Sequence, residues 1–146
     1  MTQPNEIKVV PFEKILSIIS YFTMGIAGLV LVILAYFSKK KLRYFLNYNI
    51  SQSILLGVLL AIFKFILDNV LPLIAKIPLL DGICGIIYYF FSTKIIKMGI
   101  LSFNLLELIV VSIIIYISVG IYKNKIYFLP YLTNLTQTIM KTIFKQ

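Results

Sequence analysis

Long uncharged runs of apolar residues, separated by short polar or basic segments, form the main pattern of the sequence. The first run covers residues 15–37 and holds 23 residues. As a helix it would measure about 34 Å at about 1.5 Å per residue, enough to cross a hydrocarbon core of about 30 Å. It predicts a first membrane-spanning helix, preceded by a polar N-terminal tail over residues 1–14.

A second crossing is predicted at about 46–68. The uncharged stretch that starts at Tyr44 is followed by Lys64 and Asp68, and Pro72 then interrupts the pattern. Lys64 and Asp68 lie one helical turn apart near the far end of this crossing, where each side chain can reach interfacial water or the other. They are predicted to be an interfacial pair.

A third crossing is predicted near 100–122, in a run rich in Ile and Val. Between the second and third crossings, the uncharged core from Gly82 to Thr93 has only 12 residues. That is too few to cross a membrane as a helix. Segment 77–97 is therefore predicted to be re-entrant or interface-lying, with a short tilted fourth crossing as the alternative.

Beyond residue 126, apolar and polar side chains separate onto two arcs of a helical wheel. The apolar arc holds Leu132, Leu135, Ile139, Met140 and Ile143. Segment 126–146 therefore predicts an amphipathic helix in the headgroup layer, with a disordered tail as the alternative. The predicted fold is all-α, a polytopic membrane helix bundle over 15–125 with three or four transmembrane helices and an amphipathic C-terminal helix.

Composition supports the membrane prediction. Hydrophobic residues make up 60% of the chain and charged residues 13%, and the mean hydropathy is +0.99. An ordinary soluble domain is about 45–50% apolar and about 25% charged. A chain of this size buries only about two thirds of its unfolded surface, so a water-soluble fold would leave much apolar surface wet. We therefore expect an integral membrane protein rather than a soluble enzyme.

The formal net charge of +9 comes from 14 Lys and Arg against 5 Asp and Glu. Such an excess suits nucleic acid or an anionic membrane, and its placement between apolar runs favours the membrane. The residues predicted to contact anionic lipid headgroups are Lys39, Lys40, Lys41, Arg43, Lys123 and Lys125. We expect no nucleic-acid partner.

The basic residues also predict an orientation. With three crossings, loop 38–43 and the C-terminal tail share one side and carry eight Lys and Arg, whereas the N-terminal tail and the middle region carry five. Short positive loops stay cytoplasmic, so the basic loop and the C-terminus are expected on the cytoplasmic or equivalent side. With four crossings the counts are nearly equal and give no orientation.

Candidate catalytic chemistry is sparse. The chain has no His, which removes the commonest general base and the imidazole metal ligand. Cys84 is the single cysteine, and it is predicted to fill apolar space. We therefore expect no enzyme activity, no metal and no cofactor.

Glu107 is an acid inside the third apolar run, and an intramembrane carboxylate is costly enough to be a functional candidate. Asn104 and Ser118 fall on its side of a helical wheel. Together they predict a polar seam for helix–helix hydrogen bonds or a hydrated path. In the alternative, the helix begins near Leu105 and Glu107 lies at the interface.

The second crossing opens with a high density of polar residues, among them Asn47, Ser51 and Gln52. Amides and hydroxyls at membrane depth bond across helices for about 0.6 to 2 kcal/mol each. These three side chains are candidates for helix–helix contacts or for lining a path. The alternative is a water-exposed first turn above the hydrocarbon.

The run LVLVILAYFSKKKLRYFLNYNISQSILLGVLL resembles the twenty-kilodalton subunit family of the chloroplast inner-envelope protein translocon and its bacterial relatives. Phe45, Asn49, Gln52 and Ser53 match the family's helix start, and Asn47 stands where the family has Arg. The segment from Lys123 to Pro130 is similar to the family's ending. A related bacterial family with three crossings and the same helix start fits the layout nearly as well.

The resemblance implies a small polytopic protein of a bacterial inner membrane or a plastid membrane such as the inner envelope. It also implies a role in assisting protein transport or as a membrane-complex subunit, with other membrane proteins or a second copy as partners. Two other functions stay open. One is a small pore or carrier with a polar path near Glu107, and the other is a holin-like protein that opens membrane lesions.

Overall fold

The computed structural model describes residues 9–39, 41–98, 101–126 and 132–143. Within these ranges the chain is mostly helical and has one small sheet. Its elements are α1 (Pro11–Phe22), α2 (Ile26–Phe37), α3 (Tyr44–Phe65), a π-helical segment (Ile66–Val70), α4 (Leu71–Ile74), α5 (Asp81–Ser92), β1 (Lys94–Met98), β2 (Leu101–Asn104), α6 (Leu105–Tyr122) and α7 (Leu132–Ile143). Two compact units divide the chain: Met1–Val58 with Tyr116–Gln146, here called unit 1, and Leu59–Ile115, here called unit 2.

The first apolar run is two helices rather than one, so the prediction of a continuous helix over 15–37 is wrong. α1 ends at Phe22 and α2 begins at Ile26, each with 12 residues. Between them Met24 and Gly25 have positive φ values of 50° and 87°. Two successive left-handed residues cannot continue a right-handed helix, and the turn reverses the chain.

The two helices fold back on each other as a hairpin. A Cβ added to Gly28 in α2 would overlap the Ser20 hydroxyl in α1, although eight residues of continuous helix would separate the two by about 12 Å. Each helix is about 18 Å long at about 1.5 Å per residue, well short of a crossing. The small residues at 20 and 28 therefore serve close packing within the hairpin.

α3 continues through the π-helical segment into α4, which gives one helical stretch over Tyr44–Ile74 of 31 residues. The sequence predicted an end at about 68 because Pro72 interrupts the pattern, and that end is wrong. In a regular helix the Pro72 ring would meet the carbonyl of Asp68. Asp68 lies in the π-helical segment, whose wider turn accommodates the proline and lets the helix continue.

Unit 2 contains α5 and a β-hairpin, so the all-α prediction is wrong in this segment. β1 pairs with β2 antiparallel, from Lys94 opposite Asn104 to Met98 opposite Leu101, with a register shift between Lys94 and Ile96. α5 has 12 residues, fewer than the roughly 20 of a membrane-spanning helix. Segment 77–97 therefore contains a short helix and a strand.

Within the described ranges, two helical stretches are long and apolar enough to cross a membrane, Tyr44–Ile74 and Leu105–Tyr122. The third predicted crossing thus begins at 105 instead of 100, because residues 101–104 pair as β2. Ile26–Phe37 is apolar but shorter. Two of the predicted crossings therefore have a helix of sufficient length, and the one over 15–37 does not.

Candidate functional site in a buried polar core

The first turns of α3 are covered on every side. Each side chain from Phe45 to Ser53 is at most 6% exposed, and nine successive residues of a helix point in all directions around its axis. This stretch includes Asn47, Ser51 and Gln52, which the sequence predicted to contact other helices or line a path. The alternative of a water-exposed first turn is wrong from Phe45 onward, because these side chains are covered by protein, whereas Arg43 and Tyr44 are exposed. The depth of this turn in the membrane stays a prediction.

Cross-helix hydrogen bonds connect α3 to its neighbours in unit 1. The Tyr21 hydroxyl of α1 donates to Gln52 Oε1 over 2.8 Å, and the hydroxyls of Ser20 and Ser53 lie 2.5 Å apart. Tyr48 shares a side-chain hydrogen bond with Thr133 of α7. Because these bonds bring α1 and α7 to the polar turns of α3, they define a polar core of unit 1.

Asn47 and Ser51 differ from the rest of this core. Both amide atoms of Asn47 and the hydroxyl of Ser51 are buried without a hydrogen-bond partner in the described part of the chain. The two residues lie one turn apart, on one stripe of α3. By contrast, Asn49 Nδ2 donates to the Phe45 carbonyl over 2.8 Å. An unpaired buried polar group costs about 1–3 kcal/mol, so this stripe lowers stability.

The threonines of α7 differ in exposure, and Thr138 is exposed. Thr136 is fully buried, whereas Leu135 beside it is exposed. The sequence predicted an amphipathic helix whose apolar arc includes Leu135, and the structure confirms a helix over Leu132–Ile143. Thr136 packs inside unit 1 and Thr133 bonds Tyr48, whereas Leu135 and Thr138 face outward.

Three chain segments meet at one end of unit 1. Glu13 of α1 forms an ion pair with Arg43, with Nε and Oε1 3.5 Å apart. Lys14 Nζ donates to the Tyr122 carbonyl over 3.1 Å and lies 5.8 Å from the centre of the Tyr122 ring. A cation at the last carbonyls of α6 is also favoured by the helix dipole. The start of α1, the start of α3 and the end of α6 therefore lie together.

We call this region the basic end of unit 1. Its described cationic residues are Lys14, Lys39, Lys41, Arg43, Lys123 and Lys125. The sequence predicted that the N-terminal tail lies on the side opposite loop 38–43. In the structure Lys14 lies beside Tyr122, and its neighbour Glu13 pairs with Arg43, because the α1–α2 hairpin returns the chain to the end where it began. The side of the membrane on which the tail lies stays a prediction.

Except for Lys40, which lies outside the described residues, the predicted lipid-contacting residues are all described, and all of them are exposed. They are Lys39, Lys41, Arg43, Lys123 and Lys125. Because they are exposed, their charged groups are accessible to headgroups. The Arg43 guanidinium also forms an ion pair with the Glu13 carboxylate through Nε. The headgroup contacts themselves stay a prediction.

Glu107 and Asn104 form a helix cap at the start of α6. Asn104 N donates to Glu107 Oε2 over 3.0 Å, and Glu107 N donates to Asn104 Oδ1 over 2.8 Å. This reciprocal pair is a capping box at the start of α6. The helix start near Leu105, which belongs to the sequence-based alternative, is confirmed. The position of Glu107 at the membrane interface stays a prediction. Ser118 lies 11 residues further along α6, about 16 Å away at about 1.5 Å per residue, and its hydroxyl is buried without a partner among the described residues.

Lys64 and Asp68 are both exposed, and no ion pair joins them in the structure, which describes both residues. Each side chain is therefore free to reach water by itself.

Cys84 is a buried free thiol, as its predicted filling role requires. It borders an apolar cavity of about 220 Å³ in unit 2, together with Leu71, Pro72, Ala75, Gly85 and Tyr88. Among the described residues, no three Cys, Asp or Glu side chains cluster closely enough to hold a metal ion.

Two core residues were not predicted from the sequence to belong to a polar site. Tyr21 and Thr136 are fully buried, yet each belongs to an ordinary apolar or amphipathic run. The available signal was a narrow arc of small residues, which predicted a packing face on a continuous first helix: Ser17, Ser20, Ala27, Gly28 and Ala35. Ser17, Ser20 and Gly28 are buried and Ala27 and Ala35 are half-buried, although on two helices that face each other.

Comparison with protein-family models, with curated proteins and with solved structures found no match.

Proposed function

We propose that this protein is a non-enzymatic integral membrane subunit, which resembles the translocon subunit family and assists protein transport or assembles with other membrane proteins. One observation carries the membrane part of the proposal. Within unit 1, α1 and α2 bury small polar residues and glycine and expose most of their large apolar side chains. In these two helices the pattern is the reverse of a fold stabilised in water, where buried apolar area is the dominant favourable term.

The reversal is clearest within single helices. In α1, Ser17 and Ser20 are fully buried, while Phe12 is 65% and Phe22 is 64% exposed. In α2 the only buried residue is Gly28. Burying a large apolar side chain is worth about 1.5–3 kcal/mol in water, so such a surface would be strongly unfavourable there. In lipid it costs nothing, whereas cross-helix hydrogen bonds such as Tyr21 to Gln52 stabilise the bundle.

The role as a subunit is supported by the resemblance of Phe45, Asn49, Gln52 and Ser53 to the family's helix start. Phe45, Asn49, Gln52 and Ser53 all lie in the buried core of unit 1. A motif that forms a core specifies the fold of the subunit. The outer apolar surface of the subunit then remains available to lipid or to a partner chain. The partners we propose are other membrane proteins or a second copy, in a bacterial inner membrane or a plastid membrane.

Extraction and crosslinking test this proposal. Alkaline carbonate should leave the protein in the membrane pellet. Affinity purification in mild detergent after crosslinking of native membranes should give a complex with unrelated membrane chains and with a preprotein caught in transit. Release by carbonate contradicts the membrane assignment, and recovery solely as a monomer contradicts the subunit role.

A small pore or carrier is a second candidate, and the unpaired stripe of Asn47 and Ser51 is the observation that favours it. Buried polar atoms without protein partners are suited to hydrated ions or water. Ion flux through liposomes containing only this protein, lost in an Asn47→Leu variant, would support the pore. Absence of flux from correctly folded protein excludes it.

A further inference from the structure

The α1–α2 hairpin begins and ends at the level of the start of α3. At its first leg, Glu13 is paired with Arg43, one residue before α3. At its second leg, α2 ends at Phe37 and residues 38–43 lead directly to Tyr44. The start of the first leg and the end of the second leg therefore both lie at the basic end of unit 1.

The tip of the hairpin packs against α3 further along the helix. A Cβ on Gly25 would lie only 2.5 Å from Ile54 Cα, and a Cβ on Gly57 would overlap the Met24 carbonyl. Ile54 follows Tyr44 by ten residues, about 15 Å of helix. That depth is about half of a hydrocarbon core of about 30 Å.

The outward surface of the hairpin is apolar along its whole length. Exposed side chains include Phe12, Ile15, Phe22, Ile26, Leu34 and Phe37. At its open end the cations of the basic end face one acid in the described part of the chain, Glu13. An apolar surface about 15 Å deep beneath a cationic rim matches one layer of anionic phospholipid, with acyl chains against the hairpin and headgroups against the rim.

We infer that α1 and α2 form a re-entrant hairpin, which enters and leaves the membrane at the basic end and occupies a single leaflet of anionic phospholipid. This inference rests on the proposed integral membrane character. It places the N-terminal side of α1 on the same side of the membrane as loop 38–43 and the end of α6. The hairpin therefore inserts into one leaflet beside the buried polar core, and neither α1 nor α2 enters the other leaflet.

Cysteine labelling tests the inference. In a Cys84→Ala background, Val10→Cys and Lys41→Cys are each reacted with a membrane-impermeant maleimide in sealed vesicles. Both should be labelled before permeabilisation or both only afterwards, whichever way the protein is inserted. Labelling from opposite sides means that the segment from α1 to α2 crosses the membrane once, and overturns the hairpin. Met24→Cys should resist the reagent from both sides, and its labelling would place the tip in water.

A second measurement does not depend on the folding of the Val10→Cys variant. A protease site is placed ahead of Met1 in one variant and inserted in loop 38–43 in another. In sealed vesicles, protease should cut both sites or neither site. Carbonate extraction of the same vesicles separates the two claims. Loss from the pellet would overturn the membrane assignment, whereas retention with opposite-side accessibility would overturn the hairpin alone.

The lipid class has its own probe. A fluorophore on Ser38→Cys should be quenched more strongly by nitroxide-labelled phosphatidylglycerol than by labelled phosphatidylcholine in reconstituted vesicles. The difference should shrink at high salt, because ionic strength screens contacts with an exposed basic rim. Equal quenching at low salt would exclude anionic lipid as the occupant.

Discussion

The hydroxyl of Tyr21 donates a hydrogen bond to the side-chain oxygen of Gln52 over 2.8 Å, and both side chains are fully buried. The bond joins α1 to the polar turns of α3 across 31 positions of sequence. Its neighbour, the contact between Ser20 and Ser53, joins the same helices. The position of the hairpin on α3 therefore depends on a few polar contacts at a defined register.

Tyr21→Phe should destabilise the protein by about 0.6 kcal/mol and by no more than about 1.7 kcal/mol, the average and the largest values measured for hydrogen bonds between membrane helices. The substitution removes the donor and keeps the ring packing. Thermal unfolding in detergent, with a double-mutant cycle using Gln52→Leu, measures the coupling. Tyr36→Phe is the control, because Tyr36 is 80% exposed and its loss should have little effect. Additive losses at 21 and 52 would show that the bond does not contribute.

Ser51→Ala and Ser53→Ala should act in opposite directions. Ser51 has a buried hydroxyl without a partner in the described structure, so its removal should raise the free energy of unfolding by about 1 kcal/mol. Ser53 Oγ contacts Ser20 and donates to the Ile50 carbonyl over 2.8 Å, so its removal should lower stability by a similar amount. Unfolding of both variants in the same detergent makes the comparison. A loss at position 51 would indicate that Ser51 has a partner in the membrane.

Gly25→Ala should be strongly destabilising, by roughly 2 kcal/mol or more, because it combines an unfavourable positive φ with a clash against backbone. The added Cβ would meet Ile54 Cα at 2.5 Å, which a flexible side chain cannot relieve. Gly82→Ala in α5 is the matched control, since nothing lies within 4 Å of its added Cβ. It should stabilise by about 0.5–1 kcal/mol through helix propensity. Protease resistance and thermal unfolding report both effects, and equal behaviour of the two variants would contradict the turn at 23–25.

Glu107→Gln should retain nearly all of the protein's stability, because Gln also completes a capping box. Any ion flux measured for the unsubstituted protein should also be retained. Glu107→Ala should lose about 0.5–2 kcal/mol through the loss of the cap. Ion flux in liposomes provides the second readout. If the Glu107→Gln variant folds normally but conducts no ions where the unsubstituted protein does, Glu107 lines an ion path, and a purely capping role is contradicted.

How much the sequence could predict depends on the range of the interaction. The second and third apolar runs became helices long enough for a membrane because length and hydrophobicity are local properties of the chain. Asn47, Ser51 and Gln52 were recognised as candidates because polar residues in an apolar context are visible directly. The capping box of Asn104 and Glu107 was one of two open interpretations, since its spacing of three suits a helix start and a helix face equally.

The sequence by itself determined the apolar character of this protein, its basic loop, and the polar start of α3. Only the tertiary structure decided that residues 15–37 fold back at Thr23–Gly25, and that Lys14 lies beside Tyr122 at the basic end. The reason is that a glycine in an apolar run is compatible with a continuous helix or a turn, and backbone energies of about 1 kcal/mol separate the two. Packing of Gly25 on Ile54 and of Ser20 on Ser53 selects the turn, and those contacts join residues about 30 positions apart.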